Sequence, residues 1–114
     1  MTTNEITVLI AQRNLYPFYN DRQWRRLSSE VMHEQHHECQ LCKERGRHRR
    51  ARLIHHVNEL KKRPDLAYER YYTDEHGRIK RNLIALCQSC HEAQHPDRLI
   101  KQYSTKQYLN QEKW

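Results

Sequence analysis

The sequence predicts an α+β fold in a single domain. Three observations lead there. The chain has 114 residues, the length of one domain. Its apolar residues recur first at helical spacing and later in short strand-like runs. Four cysteines form two C-x2-C pairs, Cys39/Cys42 and Cys87/Cys90, on either side of the strand-like half. The core available to such a chain is thin. Leu, Ile, Val and Phe make up 21 of 114 residues, about 18%, and the net charge is +7. Those values border on the composition of disordered chains. Two glycines, three prolines, four cysteines and nine histidines argue instead for an ordered chain in which metal replaces part of the core.

The elements follow in order. The apolar run Ile6–Ala11 can pack on the body of the protein. It is far shorter than the roughly 20 residues of a membrane span, and no basic segment precedes it as in a signal peptide. The expected location is cytoplasmic, a reducing compartment. Tyr16-Pro17-Phe18-Tyr19 reads as an extended aromatic joint. Asn20 and Asp21 are helix N-caps, and Trp24, Leu27 and Val31 recur at helical spacing, so a helix is predicted over 21–37. Its histidines, His33, His36 and His37, read as a solvated face. Cys39-Gln40-Leu41-Cys42 predicts a tight turn. Arg52–Val57 reads as a short strand, and Pro64 can start a short helix. Tyr71–Thr73 and Ile79–Leu86 read as strands joined near His76-Gly77. Gln88–His95 fits a helix that ends before Pro96, and Ser104 can cap a last helix in the polar tail. The chain thus divides into an extension (1–19), a central domain with its two cysteine knuckles (20–96) and a tail (97–114).

The charge is concentrated. Nine basic residues lie between Lys43 and Arg63, opposed there by Glu44 and Glu59, and outside that window acids and bases balance. Such a run is either a solvated loop or a footprint for a polyanion such as DNA. Its candidate contact residues are Arg45, Arg47, Arg49, Arg50, Arg52, Lys61, Lys62 and Arg63.

Four thiolates suit tetrahedral zinc, and a two-residue spacer lets both sulfurs of a pair reach one ion. Free thiols or redox pairs are the alternative. A structural Zn2+ on Cys39, Cys42, Cys87 and Cys90 would couple directly to folding. It would also leave the nearby histidines unassigned. His91 and His95, four apart on a helix, share one face and can hold a second ion. His55 and His56 are adjacent on a strand and point to opposite faces. One ligand and one unligated imidazole is their natural division.

Taken together, His55-His56-Val57, Asn82-Leu83-Ile84-Ala85-Leu86 and Cys87-Gln88-Ser89-Cys90-His91 with His95 resemble the HNH endonucleases. The likeness runs from Cys39 to His95, and the helix containing Trp24 also resembles small phage-encoded members with two CxxC zinc knuckles. The resemblance implies a ββα-metal (His-Me finger) nuclease motif braced by the four-cysteine zinc site, with an N-terminal helix. It implies His56 as general base and Asn82 as the residue that holds the hairpin aiming the base. It implies His55, His91 and His95 as ligands of a catalytic divalent ion.

The implied activity is metal-dependent hydrolysis of phosphodiester bonds in double-stranded DNA, by nicking or double-strand cleavage, leaving 3′-hydroxyl and 5′-phosphate ends. Many relatives carry Asp where this chain has His55. Three imidazoles suit Zn, Ni, Co or Mn better than Mg, although Mg with phosphate oxygens can serve. The phage association implies a bacterial host cytoplasm and a role in DNA packaging beside the terminase, or in another processing step. The competing reading is a non-catalytic, zinc-stabilised DNA-binding module. That module would need the cysteines and the basic window but neither His56 nor Asn82.

Overall fold

The computed structural model describes residues 1–94. His95, Pro96 and the predicted tail lie outside the described residues.

Helix α1 (Thr3–Ala11) starts with a reciprocal capping box. Thr2 Oγ1 accepts from Glu5 N at 3.1 Å and Thr2 N donates to Glu5 Oε1 at 2.8 Å. The aromatic stretch expected to be extended is instead a short helix, α2 (Tyr16–Tyr19). Pro17 lies in its first turn, where a missing N–H costs nothing, and the turn drives Phe18 to full burial. Asp21 caps α3 (Arg22–Glu34), accepting from Trp24 N at 3.2 Å, and Trp24, Leu27 and Val31 form its buried stripe. This helix stops three residues before the expected end. His36 and His37 adopt positive φ, 58° and 56°, and turn the chain back on itself. The turn lets His37 O accept from Ala51 N and Cys39 N donate to Arg49 O, both at 2.8 Å.

The first cysteine knuckle is a short helix, α4 (Gln40–Glu44), rather than a bare turn. It closes at Gly46, whose φ of +75° suits glycine. Strand β1 (Leu53–His56) follows, then a 3-10 turn (Pro64–Leu66) and strands β2 (Tyr71–Thr73), β3 (Ile79–Arg81) and β4 (Leu83–Leu86). The expected strand 79–86 is therefore two strands, broken at Asn82. Helix α5 (Gln88–Ala93) carries the second cysteine pair's Cys90. Among the described residues there are two antiparallel two-stranded sheets. One pairs β1 with β4, with His55 opposite Ile84 and His56 opposite Leu83. The other is the hairpin β2–β3, a side excursion between β1 and β4.

Two apolar clusters hold these pieces. In the first, Ile6, Leu15 and Phe18 meet Trp24, Leu27 and Val31 of α3 and Leu60, Ala67 and Leu83 from the strand half. The first 19 residues therefore help to build the core beneath β1. Each large side chain there contributes about 1.5–3 kcal/mol. The second cluster is Leu86 with the four cysteines. That is a core too small to stand on apolar burial alone. Among the described residues no helix is long and apolar enough to cross a membrane.

Candidate active site and metal centre

The cysteine knuckles converge. The Sγ atoms of Cys39, Cys42, Cys87 and Cys90, all buried, lie within 4.8 Å of one another. Cys42 Sγ is 3.9 Å from Cys87 Sγ and 3.6 Å from Cys90 Sγ. Four sulfurs at the Zn–S distance of about 2.3 Å would form a tetrahedron with edges of about 3.8 Å. The donor set thus fits a tetrahedral thiophilic ion in both chemistry and spacing. Burial opposes ionisation of the Cys87 thiol, but the Cys90 N–H and the Ser89 hydroxyl outweigh it and favour the thiolate.

Next to this centre, β1 separates its two histidines as strand alternation requires. His55, 7% exposed, faces His91 on α5, with ring centroids 5.4 Å apart and planes at 72°. Imidazoles binding one ion through nitrogen at about 2.1 Å would place their centroids about 5 Å apart. The pair therefore fits the grip of a single divalent ion.

His56 points the other way, into the main core. Its Nε2 lies 3.0 Å from Ala67 O. A carbonyl only accepts, so Nε2 carries the hydrogen and the neutral ring keeps its lone pair on Nδ1. Burial pushes this imidazole down to about 4, the bond to Ala67 opposing only in part. The ring is accordingly neutral at physiological pH.

Asn82, with no exposed surface, locks the segment that supplies Ala67. Its Oδ1 accepts from Asn58 N at 3.1 Å and from Asn58 Nδ2 at 2.8 Å. Its Nδ2 donates to Leu66 O and Glu69 O, each at 2.9 Å. The carbonyls on either side of Ala67 in the chain are thus pinned by one amide. The backbone at Asn82 joins in: Val57 N donates to Asn82 O and Asn82 N to Arg70 O, both at 2.7 Å. Asn58 and Ala67 were not found by sequence reasoning. One is an unremarked loop amide and the other acts through its backbone, so neither carries a motif.

The nine basic residues of the window are all exposed, but they differ in surroundings. Arg49, Arg50 and Arg52 line a groove of about 510 Å3 with Gln88, Ser89 and Glu92 on the outer face of α5. Arg49 Nη1 donates to Ser89 Oγ at 3.0 Å. Lys62 and Arg63 instead pair with Glu59 and Asp65, at 3.9 Å and 2.9 Å. Arg45, Arg47 and Lys61 are exposed outside the groove. His33, His36 and His37 are exposed, as expected of a polar surface.

A nuclease-type ββα arrangement, with strands β1 and β4 leading into α5, is thus present beside a four-cysteine centre. The family model of the HNH endonucleases matches residues 39–97, more than half of the chain. The chain belongs to the HNH endonuclease family and is an endonuclease of that type. Among solved structures it is similar to the HNH endonuclease of the deep-sea thermophilic bacteriophage GVE2, crystallised with manganese ion. That likeness has a TM-score of 0.60 and 21% identity, and covers 87% of this chain and 91% of the other. A comparison with curated proteins finds no match.

Proposed function

We propose that this chain is a metal-dependent DNA endonuclease in which His56 is the general base. The single observation that carries the reading is the opposed placement of adjacent histidines on β1. His55 faces His91, while His56 is held by Ala67 with its lone pair on Nδ1. In this reading His56 Nδ1 takes the proton from the attacking water. Asn82 holds the segment that holds His56, keeping the base within the tolerance that proton transfer demands. His55 and His91, with His95, would hold a divalent ion, with Zn, Ni, Mn or Co favoured and Mg usable. When bound, that ion supplies charge neutralisation at the scissile phosphate and the leaving 3′-oxygen. Cys39, Cys42, Cys87 and Cys90 would hold a structural Zn2+.

The substrate is double-stranded DNA. Arg49, Arg50 and Arg52 in the groove along α5 track the phosphate backbone, and Arg45, Arg47, Lys61, Lys62 and Arg63 add longer-range attraction. One such site cuts one strand, so nicking is the elementary event. The phage origin of the structural relative supports a place in phage DNA processing, within a bacterial cytoplasm. The specific reading there is packaging beside the terminase, and co-purification with terminase subunits tests it.

The test of the activity is direct. Supercoiled plasmid is incubated with the protein and Mn, Ni, Zn, Co or Mg, with and without chelator. Nicking that requires a metal and disappears in His56→Ala, while that variant stays folded with its zinc, is the expected result. No cleavage with any metal would favour the non-catalytic DNA-binding module instead.

A further inference from the structure

Helices α2 and α3 precede the stretch 39–97 that the family match covers. Yet they supply the surface against which His56 lies. The Trp24 indole stacks on the His56 imidazole, with ring centroids 4.6 Å apart and planes at 21°. Phe18 and Tyr19 approach the same imidazole at 6.0 Å and 6.5 Å, with planes at 53° and 67°. These rings brace one another: Phe18 lies 5.3 Å from Trp24 and 5.5 Å from Tyr68. Trp24 is 5% exposed and Phe18 fully buried, so the indole cannot turn without displacing its neighbours.

The geometry gives that stack a specific task. One hydrogen bond, from Nε2 to Ala67 O, fixes a point on the imidazole but leaves the ring able to swing about the bond axis. A flat partner near van der Waals contact removes that freedom and fixes the plane of the ring. Two restraints at different parts of the ring then determine where Nδ1 points. A leucine or methionine in place of Trp24 could fill much of the volume but would offer no flat face.

We propose that Trp24 is a positioning residue for hydrolysis. Its indole face sets the plane of the His56 ring, so that Nδ1 is aimed at the attacking water. Through Trp24 alone, α3 then contributes to the nuclease machinery as well as to its support. This rests on the reading of His56 as general base.

The test compares steady-state cleavage of supercoiled plasmid by the zinc-loaded chain carrying Trp24→Met, Trp24→Phe or Leu27→Ala. Leu27 lies on the same helix and in the same core cluster, and makes no ring contact with His56. Trp24→Met should lower kcat by about 10–100-fold, the scale of a misaligned reacting group, with KM for DNA within about threefold. Trp24→Phe, which keeps a flat ring, should restore kcat to within about threefold of wild type. Leu27→Ala should destabilise the fold yet leave kcat near wild type at temperatures well below its Tm. Ring 15N shifts provide a second readout, which in the wild type needs no variant to fold. They should show His56 with the hydrogen on Nε2 and a pyridine-like Nδ1, and Trp24→Met should keep that tautomer, because Ala67 O still accepts from Nε2. Equal kcat losses in Trp24→Met and Leu27→Ala at matched stability would overturn the proposal, as would failure of Trp24→Phe to rescue. A wild-type ring protonated at Nδ1 would do the same. A wild-type rate in His56→Ala would instead remove the base assignment itself, so the two failures are distinct.

Discussion

Replacing Asn82 by alanine removes more than one restraint. Four side-chain hydrogen bonds disappear, two accepted from Asn58 and two donated to Leu66 O and Glu69 O. At a net 0.5–1.5 kcal/mol each, the loss is about 2–6 kcal/mol. That is a large share of the roughly 5–15 kcal/mol that stabilises a typical domain. Asn82→Asp keeps the two accepted bonds but turns both donated ones into oxygen–oxygen repulsion, so it should be no milder. The assay is urea denaturation at fixed free zinc, because ligand concentration shifts apparent stability. With about 4–8 °C of Tm per kcal/mol for a domain this small, Asn82→Ala should melt at least about 8 °C lower. Where it remains folded, the loosened Ala67 carbonyl should also cost cleavage rate. A stability loss under about 1 kcal/mol would show that these bonds do not brace the segment.

Three further outcomes are expected. Changing Arg49, Arg50 and Arg52 together to Gln should weaken DNA binding and flatten its dependence on log salt by about 2–3, near 0.9 for each phosphate no longer neutralised; an unchanged slope would make the groove a solvated surface. Stripping the four-cysteine centre with a strong chelator should unfold the protein, since about 10–16 kcal/mol of apparent binding energy goes with such sites; far-UV circular dichroism that stays native after full metal loss would contradict this. His56 sits at about 4, against an ordinary value of 6.5, so the unfolded chain binds its proton first as pH falls. Relative to His56→Gln, the wild type should therefore hold full stability above 6.5 and lose about 3 kcal/mol as pH falls from 6.5 to about 4. Parallel stability curves over that range would mean the imidazole is not held neutral.

What was legible in the sequence was chemistry at fixed local spacing. The two C-x2-C pairs announce a shared ion because few other arrangements use four thiols, and the structure brings all four together across the sheet. The opposite pointing of His55 and His56 follows from strand alternation alone. Trp24, Leu27 and Val31 were readable as a core stripe from their period. Less legible was anything decided by distant partners. The end of α3 at Glu34 depends on bonds that residues 37–39 make to 49–51, which no local pattern at His36 and His37 foretells. The break at Asn82 hides inside a continuous apolar pattern, because the interruption serves Asn58, Leu66 and Glu69 far along the chain. Tyr16–Tyr19 looked extended because a proline and three aromatics suit strands and loops as well as a single helical turn. The stack of Trp24 on His56 joins two positions 32 apart that sequence periodicity treats separately.

In the proposed mechanism the Nδ1 lone pair of His56 takes the proton that starts phosphodiester hydrolysis. Chemical rescue tests it most directly. His56→Ala leaves a ring-sized space beside Trp24, into which free imidazole can diffuse. His56→Ala, folded and zinc-loaded, should nick plasmid at a rate at least about 100-fold below wild type, in line with the contribution of a general base. Added imidazole should restore part of that rate in proportion to its neutral form. A His56→Ala variant that nicks at the wild-type rate without imidazole would show that His56 is not the base.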